Sequence, residues 1–236
     1  MSTRRHCILA LTATAWAVTA AAAGPVTPDL RGDVDALVSY ETRQVMASGV
    51  TRTDAWQERL VRRGLQVWTE RVLPPHGAGD PVHAGEGTAL GHKHLNAETS
   101  ARWLRLGAQG RVELNLVDRE HRVIVEVPAA EFATVSFDGR YDAAATLVPP
   151  AVVMAMKAEG PVRAGVQWRS ERNQGWVHRV LWSQDKQLAL RVESRREDGS
   201  VQRTVAVRLL PVAAPQALPW QSLGGYTAMR YDEFMD

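Results

Sequence analysis

The sequence predicts a mainly β protein of the α+β class, made of antiparallel hairpins with a few short helices. Two observations carry this. Tight-turn residues recur at short intervals, and the residues between them alternate apolar and polar with a period of two. Both are densest between Val166 and Leu210. There Asn173-Gln174-Gly175, Gln184-Asp185 and Asp198-Gly199 separate four runs of strand length. Asn-x-Gly and Asp-Gly supply the positive φ values that tight hairpins need. Leu188, Leu190 and Val192 fall on one side of their run, and Val205, Val207 and Leu209 on one side of the next. That pattern buries one face and wets the other.

The first 23 residues read as an export signal. Arg4 and Arg5 precede an apolar run from Ile8 to Ala20, and Ala21-Ala22-Ala23 forms a small-residue cleavage site before Gly24. The run is too short for a membrane span, so no transmembrane segment is expected after cleavage, and the expected compartment is the periplasm. Cys7, the single cysteine, lies inside this leader. The mature chain therefore has no disulfide and no thiol chemistry. The chain carries 28 Lys and Arg against 26 Asp and Glu, and loss of Arg4 and Arg5 makes these equal. With no basic block, nucleic acid is not an expected partner. The expected organisation is a leader at 1–23, a Pro- and Gly-containing linker at 24–35, and one β domain at 36–236.

In chain order, Leu37–Ser48 reads as a first strand or an amphipathic helix, and Val34, Leu37, Val38 and Val45 on one helical face favour the helix. Val50–Arg62 and Leu65–Leu73 read as a hairpin turning at Arg62-Arg63-Gly64. From Pro74 to Asn96 the chain is rich in Gly and His and reads as a long loop. Asn96 is placed to cap a short helix through Arg102. Trp103–Leu106, Val112–Val117 and Arg122–Val127 read as three strands, followed by an irregular stretch with one helical turn at 129–132. Pro149-Pro150 opens a helix expected to run to Gly160, with Val152, Val153 and Met156 facing the sheet. Tyr226, Met229, Tyr231 and Phe234 suit a last helical turn packed on the strands.

Two stretches, "GVTRTDAWQERLVRRGLQVWTERV" and "WVHRVLWSQDKQLALRVESRREDGSVQRTVAV", resemble the periplasmic lipoprotein-carrier superfamily that includes LolA and RseB. The shared features are the Arg62-Arg63-Gly64-x-x-Val67-Trp68 turn and the Leu188-x-Leu190-Arg191-x-Glu193 strand before an acidic-Gly turn. The resemblance implies an antiparallel, unclosed β-half-barrel covered by a few short helices. It further implies a concave side that takes acyl chains, or a surface that takes lipopolysaccharide and a protein partner.

No nucleophile elbow, zinc-protease helix, phosphate loop or dinucleotide fingerprint is present, which points to a noncatalytic protein. The expected role is an exported binding protein holding a lipid, acyl chain or lipoprotein in an apolar groove. Candidate groove residues are Trp56, Trp68, Trp103, Trp168, Trp182 and Met156, because aromatic and thioether side chains offer large apolar area. A second reading is a regulatory module that docks an envelope protein partner, with Arg62 and Arg63 among its surface cations. A third is a metal-binding accessory protein. In an extended segment His92 and His94 project to one side about 6–7 Å apart, and His83 is placed to join them; an imidazole set without thiolate suits zinc or copper(II).

Overall fold

In a computed structural model, residues 30, 32–73 and 100–235 are described. The leader and the His/Gly-rich loop lie outside them. The described chain forms one 12-stranded sheet. Strands β1 (Val34–Val45), β2 (Thr51–Arg63), β3 (Gln66–Arg71), β4 (Ala101–Leu106), β5 (Val112–Asp118) and β6 (Val123–Val127) make up the N-terminal part. Helices α1 (Tyr141–Thr146) and α2 (Pro150–Ala155) follow. Strands β7 (Lys157–Arg163), β8 (Val166–Asn173), β9 (Trp176–Ser183), β10 (Leu188–Arg196) and β11 (Val201–Leu209) come next, then β12 (Thr227–Arg230) and α3 (Tyr231–Met235).

The order across the sheet is β12-β6-β5-β4-β3-β2-β1-β11-β10-β9-β8-β7. All neighbours are antiparallel except β12 and β6. β12 and β7 end the order without pairing to each other, so the sheet is not closed into a barrel. The meander predicted from Val166 onward is β8–β11, and its turns behave as the sequence requires. Between β8 and β9, Gln174 and Gly175 take φ values of 48° and 74°, the left-handed pair that matches strand twist in a two-residue hairpin.

Several expectations are corrected. Of the segment at 37–48, where the sequence favours a helix over a strand, residues 37–45 belong to β1, the strand at the seam of the sheet. β1 pairs along its length with β2 and also with β11. Backbone bonding on both sides outweighs a loose helical pattern, and Val34, Ala36, Val38 and Tyr40 line up with a period of two instead. The strand also starts two residues inside the expected linker. The helix expected through Arg102 gives way to β4 at Ala101. α2 stops at Ala155, and Gly160 lies within β7 rather than past a helix end. In β10 a bulge between Ala189 and Arg191 breaks the alternation, so Ala189 is buried as well as the expected Leu188 and Val192.

One face of the sheet is covered by residues 128–156. Phe132, Val135, Phe137, Tyr141 and Ala145 pack on Val38, Leu60, Val67, Leu104, Leu116 and Val125. Next to them, Val148, Val153 and Met156 pack on Val180, Trp182, Ala189 and Val192. Phe234 of α3 is buried in the first of these clusters, as its place in the tail predicts. The opposite face carries a smaller cluster of Val61, Trp68, Ala101 and Val117 under Leu218 and Leu223.

Candidate ligand-binding face

Cross-strand register decides which side chains share a face, since directly paired residues project to the same side. The pairs Tyr40↔Trp56, Glu58↔Arg71 and Thr69↔Arg102 place these six residues on the covered, inner face. They lie beyond the apolar rows beneath residues 128–156. The Tyr40 and Trp56 rings stack with centroids 5.0 Å apart and planes 12° apart. The Arg71 guanidinium sits 5.5 Å from the Trp56 ring centre, within cation–π range. Arg102 donates to the carbonyl oxygens of Val135 at 2.7 Å and Ser136 at 3.4 Å, so it also fastens the covering segment.

Glu58 lies at the centre of this group. Burial pushes its carboxyl upward, while the Tyr40 hydroxyl, Arg102, Arg71 and the Trp56 indole N–H pull it down. Burial, and then the Glu58 carboxylate, hold the Tyr40 phenol well above its ordinary value. A pocket of about 100 Å³ opens here, lined by Glu58, Thr69, Glu70, Arg71, Ser100 and Arg102.

The same face continues across β11 to β8 through the pairs Thr42↔Arg203, Arg203↔Ser194, Ser194↔His178 and Glu171↔His178. Trp176 stacks with His178, their ring centres 5.8 Å apart. Arg196 and Arg203 lie 5.5 and 5.3 Å from the Trp176 ring. The His178 Nδ1 is 2.8 Å from the Ser194 hydroxyl oxygen, and burial followed by Arg203 lowers its pKa. From β3 to β9 this aromatic and cationic stretch crosses five strand spacings, about 24 Å at roughly 4.8 Å each.

The six groove candidates occupy three different places. Trp56 lies on the inner face, half-buried and beside the pocket. Trp182 and Met156 also point inward but are buried against α2, packed as core. Trp68, Trp103 and Trp168 lie on the other face. There Trp68 is buried and capped by Arg119, Trp103 stacks on Trp220 at 6.4 Å, and Trp168 lies under Arg179 at 4.5 Å. Tyr40, Glu58, Arg71 and Arg102 were not singled out for this site by sequence reasoning. A usable signal exists: each lies an even number of residues from an apolar position that faces the core.

Arg62 and Arg63 are not surface cations. Arg62 is 1% exposed and donates to the carbonyls of Ala145, Gln187, Gly32 and Lys186. Arg63 pairs with the buried Asp35 at 2.5 Å, and Asp35 also accepts from the Ala213 N–H at 2.7 Å. Both arginines tie the end of β2 to neighbouring segments, Arg62 to α1 and the turn between β9 and β10, and Arg63 to β1. The metal candidates His83, His92 and His94 lie outside the described residues. Among the described residues, no group of three or more His, Cys, Asp or Glu is placed to hold a metal ion, and no helix is long and apolar enough to cross a membrane.

No protein-family model matches this chain, and no curated protein matches it. Similar solved structures include PNGF-II, at 9% identity and a TM-score of 0.35. That match covers 86% of this chain but 33% of PNGF-II, so the chain spans about a third of that protein's length. A putative outer membrane lipoprotein-sorting protein domain from Vibrio parahaemolyticus is similar at 10% identity and a TM-score of 0.33, covering 80% of this chain and 91% of that one. A LolA superfamily protein from Nitrosomonas europaea is similar at 7% identity and a TM-score of 0.29, covering 82% of this chain and 92% of that one.

Proposed function

We propose that this chain is an exported, noncatalytic binding protein that holds an amphipathic ligand of the lipid or acyl-chain class along the inner face of its open sheet. The carrying observation is the change of character on that one face. An apolar floor under residues 128–156 passes directly into half-buried aromatic rings, Tyr40, Trp56 and Trp176, flanked by Arg71, Arg102, Arg196 and Arg203. Rings give apolar contact area at low entropic cost, and guanidinium groups beside them suit a negatively charged end. Export follows from the charge and cleavage pattern of residues 1–23.

Native mass spectrometry of protein released gently from the cell envelope tests this, together with displacement of a fluorescent fatty acid. The expected result is a retained lipid-sized mass, displaceable dye binding, and roughly tenfold weaker binding in Trp56→Ala. A clean unliganded mass with no dye uptake would overturn the proposal.

A further inference from the structure

We infer that the tip of the β1–β2 hairpin, from Val45 to Val50, together with the arginines beside it, docks the protein on an anionic phospholipid bilayer. This goes beyond the inner-face reading and does not depend on it, since docking belongs to one end of the sheet and ligand binding to its face.

Three turns lie side by side at that end. The Val45 N–H donates to the Ser200 carbonyl oxygen at 2.8 Å, and the Glu197 N–H to that of Gly175 at 2.9 Å. The β1–β2, β10–β11 and β8–β9 turns therefore form one rim. Two of them are built from polar residues and glycine, Asn173-Gln174-Gly175 and Asp198-Gly199-Ser200. The third is not. Val45, Met46 and Val50 are 39%, 46% and 62% exposed. Single exposed apolar side chains are ordinary, whereas a cluster of them marks a contact site. The tip is also well formed. Met46 N–H donates to the Val50 carbonyl and Gly49 N–H to the Met46 carbonyl, both at 2.8 Å, and Gly49 supplies the φ of 82° that the turn needs. These N–H groups are already bonded, which lowers the cost of moving the turn into a lipid interface.

Charge around the rim selects the surface it meets. On the turns or within three residues of them stand Arg43, Arg52, Arg172, Arg195, Arg196 and Arg203, against Glu171, Glu197 and Asp198. Arg52 pairs with Asp54 and Arg172 with Glu197. Both are exposed contacts that a lipid phosphate can share, and arginines stay in excess even with Asp54 counted. Guanidinium groups beside an anionic bilayer are drawn to its phosphates, and their apolar stems suit the interface. The apolar part is a convex tip. It can enter a fluid acyl layer without a complementary pocket, which a protein partner would have to supply. The rim also runs into the inner face, where Arg196 lies 5.5 Å from the Trp176 ring.

The test uses protein purified after export, when removal of the leader takes Cys7 with it. Val50→Cys, and Leu65→Cys at the opposite end of β2, then each offer a single site for a polarity-sensitive fluorophore. Vesicles of phosphatidylcholine alone are compared with vesicles holding about a quarter phosphatidylglycerol. The expected result is roughly tenfold tighter binding to the anionic vesicles, lost in about 0.5 M salt. The fluorophore at position 50 shifts to the blue on binding and the one at 65 does not. Replacing Val45, Met46 and Val50 together by Ser weakens vesicle binding roughly tenfold, with the melting temperature and fatty-acid displacement unchanged. Arg43→Ser with Arg195→Ser narrows the preference for anionic vesicles. No binding to protein-free vesicles, equal binding to both compositions, or a response at 65 instead of 50 overturns the inference. Binding only to vesicles that carry envelope proteins overturns it too, and assigns the tip to a protein partner. Vesicle binding without fatty-acid uptake would sink the inner-face reading alone.

Discussion

The Arg62 guanidinium donates a 2.8 Å hydrogen bond to the carbonyl oxygen of Ala145, 83 residues further along the chain. Through the same side chain, β2 is tied to the last turn of α1, to Lys186 and Gln187 between β9 and β10, and to Gly32 before β1. A single buried cation thus satisfies four carbonyls from three separate segments. Burial pulls its pKa down, yet Tyr141 and Asp33 oppose that shift, and it remains charged at neutral pH.

Arg62→Met is therefore expected to destabilise the protein by about 2–4 kcal/mol, because it strands the buried Ala145 carbonyl and removes three part-buried hydrogen bonds. Urea unfolding measures this. Arg62→Lys should recover only part of the loss, since an ammonium cannot reach the same fan of carbonyls. A loss below about 1 kcal/mol in the Met variant would show that the carbonyls find other partners.

Two tryptophans should separate stability from binding. Trp182 is 1% exposed among Val153, Met156, Val180 and Val192, so Trp182→Ala should cost about 3–5 kcal/mol. Trp56 is half-buried in a stack with Tyr40, and its truncation should cost no more than about 1.5 kcal/mol while weakening ligand uptake. Equal stability losses for the two variants would contradict this division of the inner face.

Alkaline pH should expose Tyr141. Burial pushes its phenol up to about 12, with Arg62 pulling the other way. The unfolded chain ionises this group near 10, so the folded state holds the proton more tightly. Its contribution is complete below pH 10 and is lost as pH climbs from 10 to about 12, by about 2–3 kcal/mol at most. Among the described residues the hydroxyl has no hydrogen-bond partner, so Tyr141→Phe should fold normally and flatten the loss above pH 10. Unfolding free energies from pH 8 to 11.5 for the two proteins provide the comparison.

Glu58 should show the same sign at lower pH. Its folded pKa is raised, so its contribution is complete below its unfolded pKa, near 4.5, and falls as pH rises through the folded value. Glu58→Gln is expected to melt higher than the parent at pH 7 and level with it at pH 4. A variant less stable at pH 7 would mean that Arg71 and Arg102 repay the burial of the carboxylate in full.

The sequence by itself determined the hairpins. Alternation with a period of two, together with Asn-x-Gly and Asp-Gly turns, is local information, and β2, β3 and β5–β11 except β7 follow from it. It did not determine β1, because a central strand is held by partners distant in sequence: β11, which pairs with it, is more than 150 residues away. It did not disclose α1 either, whose few residues have no period of their own and are held by contact with the sheet. The candidate site depended on tertiary structure for the same reason. Alternation shows which residues share a side within one strand, but not which side of one strand matches which side of the next. Trp56 and Trp68 sit in adjoining strands with the same kind of pattern. The turn at Gly64 sets the register Val61↔Trp68, which sends Trp68 to the opposite face from Trp56 and leaves Trp56, with Tyr40, Glu58 and Arg71, facing inward.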